Sequence, residues 1–266
     1  MTLLLRGQSG NNCPLGSQGL GNSMGGSKED MPEVAISEEE SALLLKRLDQ
    51  LRSEIGGIPE EYISGQPFIS HQVPRFDANR FFEVFDLVTL DEGHTLDYVY
   101  MYERLGGEPL LYTRRVDSEP ISISEEHWRA FRGDERPLLK DLKFEKCASG
   151  FFQFAVFCLA VPQFYLFWHA LYNDTEFVCA GRRLDELLDA IPRRRDYGIP
   201  DEDRSKLKAI DLRPRVIIDG DSANVVTVSF TNWGGFSHYR SHIKWPNVLE
   251  RIVTEVIVGY DCGVLF

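Results

Sequence analysis

Residues 151–172 read FFQFAVFCLAVPQFYLFWHALY, and the placement of this run decides the architecture. No formal charge falls between Lys146 and Asp174, a length that would cross a bilayer. Lys140, Lys143 and Lys146 on one flank and Asp174 and Glu176 on the other mimic the positive-inside bias. Against a span stand Gln153, Gln163 and His169, each costly in hydrocarbon, and Pro162, whose ring clashes with the carbonyl of Cys158. Val156 and Val161 are its only β-branched residues, so Leu, Ala and Phe set a helical preference. The run reads as a central apolar helical element over 150–173, helical to Ala160 and broken at Pro162. Apolar on every side, it has to be wrapped by the rest of the chain. Its buried glutamines and His169 then need hydrogen-bond partners, or His169 joins Tyr165, Trp168 and Tyr172 in lining a small apolar pocket.

On the N-terminal side, residues 1–35 carry seven glycines among Ser, Asn and Gln and read as a flexible tail. Leu3–Leu5 before Arg6 are too short for the apolar part of a secretory signal. SEEESALLLKRLDQLRSEIGG opens with a capping box, Ser37 and Glu40, and repeats Leu44, Leu48, Leu51 and Ile55 at helical spacing before Gly56 and Gly57. It predicts an amphipathic helix over 38–55. Between Arg80 and Val116 the period drops to two, with DEG and LGG as turns, which predicts a three-stranded antiparallel meander over 80–116. Tyr98, Tyr100 and Tyr102 share one of its faces, Val99 and Met101 the other. A short helix at 125–132 follows, capped by Ser124.

On the C-terminal side, GRRLDELLDAI predicts an amphipathic helix over 181–191, stopped by Pro192, and residues 193–210 a loop with a short helix. Residues 214–266 return to strands. Strand clusters flanking helices, without βαβ alternation, give an α+β fold, with residues 37–266 forming a single domain behind the tail. In NVVTVSFTNWGGFSHYRSHIK the Gly234–Gly235 pair signals a two-residue turn with Trp233 facing Phe236. That register sets Val226, Val228 and Phe230 on a core face with Tyr239, Ser241 and Ile243. The opposite face carries Thr227, Ser229 and Thr231 with His238, Arg240, His242 and Lys244, a cationic and titratable row suited to anions or acidic partners.

Other chemistry is thinly signalled. The His238–His242 spacing lacks the glutamate of the zinc-protease motif and falls in a strand, so no metal or cofactor is expected. Asp219 and Asp221 read as a turn, because Ala223 stands where a calcium loop needs a third ligand. His94 lies near Asp91, Glu92 and Asp97 on a turn. No nucleophile elbow, phosphate loop or dinucleotide fingerprint occurs. Five cysteines without a C-x-x-C argue for a reducing cytoplasm over a disulfide framework. A net charge of −12 disfavours duplex nucleic acid and anionic membrane, and favours basic partners. The expectation is a soluble, acidic, non-enzymatic binding protein whose partner is another protein. The competing readings are an enzyme or small-ligand site at His169 or at His238, Arg240 and His242, and a membrane-associated protein held through residues 150–173.

Overall fold

The computed structural model describes residues 32–63, 76–103, 106–120, 139–168, 175–194 and 198–260. In chain order its helices are α1 (Glu38–Ile55), α2 (Glu60–Ile63), α3 (Ala148–Ala160), α4 (Gly181–Ala190) and α5 (Asp201–Ala209). Its strands are β1 (Glu33–Ala35), β2 (Val88–Leu90), β3 (His94–Glu103), β4 (Gly106–Arg115), β5 (Leu142–Phe144), β6 (Phe167–Trp168), β7 (Glu176–Phe177), β8 (Arg215–Asp219), β9 (Ser222–Thr231), β10 (Gly235–Lys244) and β11 (Val248–Val258). The fold is mixed α+β with several antiparallel sheets. The largest sheet runs β1-β8-β9-β10-β11, with β7 also pairing β9, while β3-β4-β6 and β2-β5 form two smaller sheets.

The apolar run occupies the centre. Cys147 caps α3, its Sγ accepting the Gly150 N–H at 3.4 Å, and from Gly150 to Ala160 only Leu159 is not buried. Pro162 ends the helix as expected. One 3₁₀ turn covers Val161–Gln163, Phe164 is extended, and Tyr165 takes φ 54°. The segment beyond differs from the expected helix. Phe167–Trp168 is strand β6, paired with Gly106 and Gly107, so the helical part ends at Gln163 within the described residues. Tyr165 holds a backbone conformation that disfavours a bulky side chain because its carbonyl accepts the Tyr100 hydroxyl at 2.9 Å.

Helix α1 begins and ends where the capping box and glycines place it. The Ser37 hydroxyl accepts the Glu40 N–H at 3.1 Å, Gly56 caps the far end, and Leu44, Leu48 and Leu51 are buried. Ordered structure starts earlier than composition suggests. β1 lies inside the stretch read as tail, pairing with β8, and Ile36 is buried beside it.

The expected meander is corrected. The first three residues of FFEVF close a 3₁₀ helix over Ala78–Glu83, and only Val88–Leu90 is strand, paired with β5 and not with β3. Phe81 and Phe85, four apart, are both buried, as are Val84 and Val88, so this run satisfies a helical period as well as an alternating one. β3 and β4 do form a hairpin, and its third strand is β6. The 125–132 helix falls outside the described residues.

Two apolar clusters lie on opposite faces of the large sheet. Ala223, Val225, Val216 and Ile243 face α3 and the aromatic core. Val228, Phe230, Phe236 and Val258 face Leu184, Leu187 and Leu188 of α4 and Leu207 of α5. We call these the inner and outer faces.

Candidate functional site

The β9–β10 register places the cationic row. Gly235 pairs with Thr231 and Phe236 with Phe230, so the loop is Asn232–Gly234, three residues long, and the two-residue turn is corrected. Thr231 Oγ1 accepts the Gly234 N–H at 2.9 Å and closes the loop one residue early. Gly235 is needed for another reason: its φ is 76°, and a Cβ there would lie 2.2 Å from the Val258 carbonyl oxygen. Relative to the expected pairing the strands slip by three residues, an odd number, which exchanges their faces. His238, Arg240, His242 and Lys244 therefore share the outer face with Val226, Val228 and Phe230. Thr227, Ser229 and Ser241 are buried on the inner face with Ile243. Trp233 sits half-buried in the loop and does not face Phe236.

Helices α4 and α5 cover the outer face at its Phe230–Phe236 end, and the row emerges beyond them. His238 stands between Val228 and Glu255, Arg240 between Val226 and Val253, and His242 between Asn224 and Arg251. His242 Nδ1 lies 3.3 Å from Asn224 Oδ1, and its Nε2 lies 3.1 Å from Glu250 Oε2. His238 Nδ1 is buried without a hydrogen-bond partner among the described residues. Burial first, then the Arg215 guanidinium, hold its pKa below the ordinary histidine value, with Glu255 opposing and Arg240 adding to the shift. Arg240 and Lys244 are exposed and in no ion pair among the described residues.

The contrast with the other arginines is sharp. Arg80, Arg114, Arg115, Arg182, Arg183, Arg193, Arg213 and Arg215 each meet a carboxylate. Arg47, Arg52 and Arg204 donate to carbonyls. Arg240, flanked by two valines, meets neither among the described residues. A planar guanidinium with its donors free, beside apolar surface, is suited to a carboxylate that arrives from outside.

The remaining candidates are tied into the fold. Gln153 Oε1 accepts the Leu87 N–H at 3.0 Å and its Nε2 donates to Asp86 at 2.7 Å. Gln163 donates to the Leu159 carbonyl at 2.7 Å and accepts the Thr175 N–H at 3.1 Å. His169 and Tyr172 lie outside the described residues. Tyr165 packs 5.2 Å from Phe164 and 5.9 Å from Tyr62, ring to ring, in a filled aromatic cluster. Burial pushes the Tyr98 and Tyr100 hydroxyls well above the usual tyrosine range, so they act as fixed hydrogen-bond groups.

His94 does meet a carboxylate, though not one of the three near it in sequence. Its Nε2 lies 3.7 Å from Asp141 Oδ1, while Asp141 Oδ2 accepts the Thr113 hydroxyl at 2.6 Å. The acid thus separates hydroxyl from imidazole, the wrong order for activating a nucleophile, and 3.7 Å is too long for a direct hydrogen bond. Asp221 sits in the tight turn between β8 and β9 and pairs with Lys146. Among the described residues no three His, Cys, Asp or Glu side chains converge as metal ligands.

A cleft of about 400 Å³ opens between the starts of α1 and α4, lined by Glu38, Gly181, Asp185, Lys208, Asp211 and Arg213. Its charges already answer one another. Lys208 pairs with Asp185 at 2.7 Å, Arg213 with Asp211 at 2.7 Å, and Glu38 accepts the Gly181 N–H at 3.3 Å. The Arg213 guanidinium lowers the Asp211 pKa to about 2, consistent with a fixed pair. Among the described residues no helix is long and apolar enough to cross a membrane, and α3 has 13 residues where a span needs about 20.

Comparison with known protein families, curated proteins and solved structures finds no match for this chain.

Proposed function

We propose that the protein works by binding another protein, which brings a carboxylate to Arg240 on the open end of the outer sheet face. The observation that supports this is Arg240, unpaired among the described residues and set between Val226 and Val253, where Arg80, Arg114, Arg183, Arg204 and Arg213 each find an internal acceptor. Exposed Lys244 extends the row along the same strand. A net charge of −12 steers partners that are basic elsewhere on their surface, and a local cationic row in an acidic surface orients them once they arrive.

The test compares the native protein with the double variant Arg240→Glu/Lys244→Glu as immobilised baits in one extract, quantifying every retained protein by mass spectrometry. Both residues are exposed, so the variant keeps its melting temperature. A protein held by the native bait and reduced tenfold or more on the variant supports the reading. Indistinguishable profiles on two folded baits refute it.

A further inference from the structure

We propose that β11 is a self-pairing edge, across which a second copy of this chain adds antiparallel with Val253 opposite Val253. β11 pairs β10 on one side, and no described strand pairs its other side. Val253, Thr254, Glu255 and Val256 are consecutively exposed, Val253 at 38% and Val256 at 61%. At the opposite end of the sheet the edge strand is β1, only three residues long. Short length is one protection of an edge, and bulges are another. β11 carries its register shifts at both ends of a regular stretch, between Phe236 and Ser237 and between His242 and Ile243. Between them, Arg251–Val256 pair one-to-one with Ser237–His242. The irregularities shield the ends and leave a straight central segment.

The residues of that segment are complementary to themselves. Positions 251 and 255 stand two to either side of Val253 and pair with His242 and His238 as Val253 pairs with Arg240, so the backbone register sets the three positions in one alternating series. An antiparallel second copy centred on Val253 sets Arg251 opposite Glu255 twice and Ile252 opposite Thr254 twice. Moving the centre to Thr254 sets Arg251 opposite Ile257, and moving it to Ile252 sets Arg251 opposite Val253. Either slip loses both charge pairs, so opposite charges across the strands specify the register. The pairing continues the existing rungs. One row becomes His238, Glu255, Arg251 of the copy and His242 of the copy. The central row becomes Arg240, Val253, Val253 and Arg240, which presents two unpaired arginines on one surface about 14 Å apart at ordinary strand spacing.

Sedimentation velocity on the full chain from about 1 to about 300 μM reads the assembly, which is weak because one strand pair buries little surface. The expected result is a concentration-dependent shift from monomer to dimer. Arg251→Glu alone and Glu255→Arg alone, each facing like charges twice, raise the midpoint tenfold or more. The double variant R251E/E255R restores it. A native chain that stays monomeric throughout overturns the proposal, as does a dimer indifferent to the single reversals. A second readout avoids charge changes. Val253→Cys is expected to oxidise to a disulfide-linked homodimer mapped to residue 253, because the register brings that position against itself. Failure to cross-link through residue 253 also overturns it.

Discussion

The two faces of the large sheet are closed by different means. On the inner face, α3 supplies bulk: Phe144 packs 4.6 Å from Phe154 and 5.0 Å from Phe151, and Phe85 lies 5.2 Å from Phe157. On the outer face α4 and α5 are amphipathic and short, and a buried arginine holds them together. Arg204 is 6% exposed and donates to the carbonyls of Leu188, Ile191 and Ile199, the end of α4 and the chain that follows it. It meets no carboxylate among the described residues. The guanidinium supplies the partners that helix-end carbonyls otherwise take from water. One face depends on volume distributed over many rings, the other on a single fork of donors.

That difference is open to direct attack. Phe157→Ala leaves a cavity in the ring cluster and lowers stability by about 4 kcal/mol, measured as a fall in the global denaturation midpoint. Arg204→Met strands three buried carbonyls and costs about 3 kcal/mol, but its loss is local. Hydrogen exchange accelerates in α4, α5 and residues 191–194 well before the inner face responds. Equal acceleration on both faces would show that they unfold as one unit. Gln153→Leu keeps the bulk but leaves the Leu87 N–H unmatched, a smaller loss of about 1–2 kcal/mol seen in the same denaturation experiment.

The smallest effect is a dependence on pH. His238 has a folded pKa below its unfolded value, so the unfolded chain takes up the proton first. Stability therefore falls as pH drops below about 6.5, the unfolded value, and the loss is complete once pH passes the lower folded value. His238→Gln flattens the melting temperature across that window, and an unchanged slope would move the origin of the effect to another group.

Local chemistry made some of this readable from sequence. The Ser37–Glu40 box, the leucine spacing of α1 and the steric block at Pro162 each act within a few residues, and α1 and the end of α3 lie where those signals place them. The long C-terminal strands were legible because their alternation runs for ten residues or more. What was hidden depends on distance along the chain. FFEVF fits two periods, and contact with α3 settles it, through Phe82 and Phe85 against Phe157. The β9–β10 slip follows from a Thr231 side chain closing the loop and from β11 passing close to Gly235. Arg204 is one of several cations between residues 193 and 210, and its burial appears only when α4 is folded against it. Of the candidate row, sequence identified the residues and their common face. The valines beside Arg240 come from the corrected register.

Tyr100 and Gly107 carry a consequence for how this chain can change over evolutionary time. Tyr100 stacks on Tyr62 at 4.9 Å, and a Cβ at Gly107 would lie 2.4 Å from the Tyr100 hydroxyl oxygen. The tyrosine reaches the Tyr165 carbonyl only across a strand that has no side chain at that point. A side chain at position 107 therefore requires the Tyr100 ring to shift from its place against Tyr62 and Tyr165, and a smaller residue at position 100 removes that conflict. For descendants of this sequence the order of substitution matters: shrinking position 100 first leaves room at 107, and the reverse order passes through a form whose Tyr100 ring is displaced.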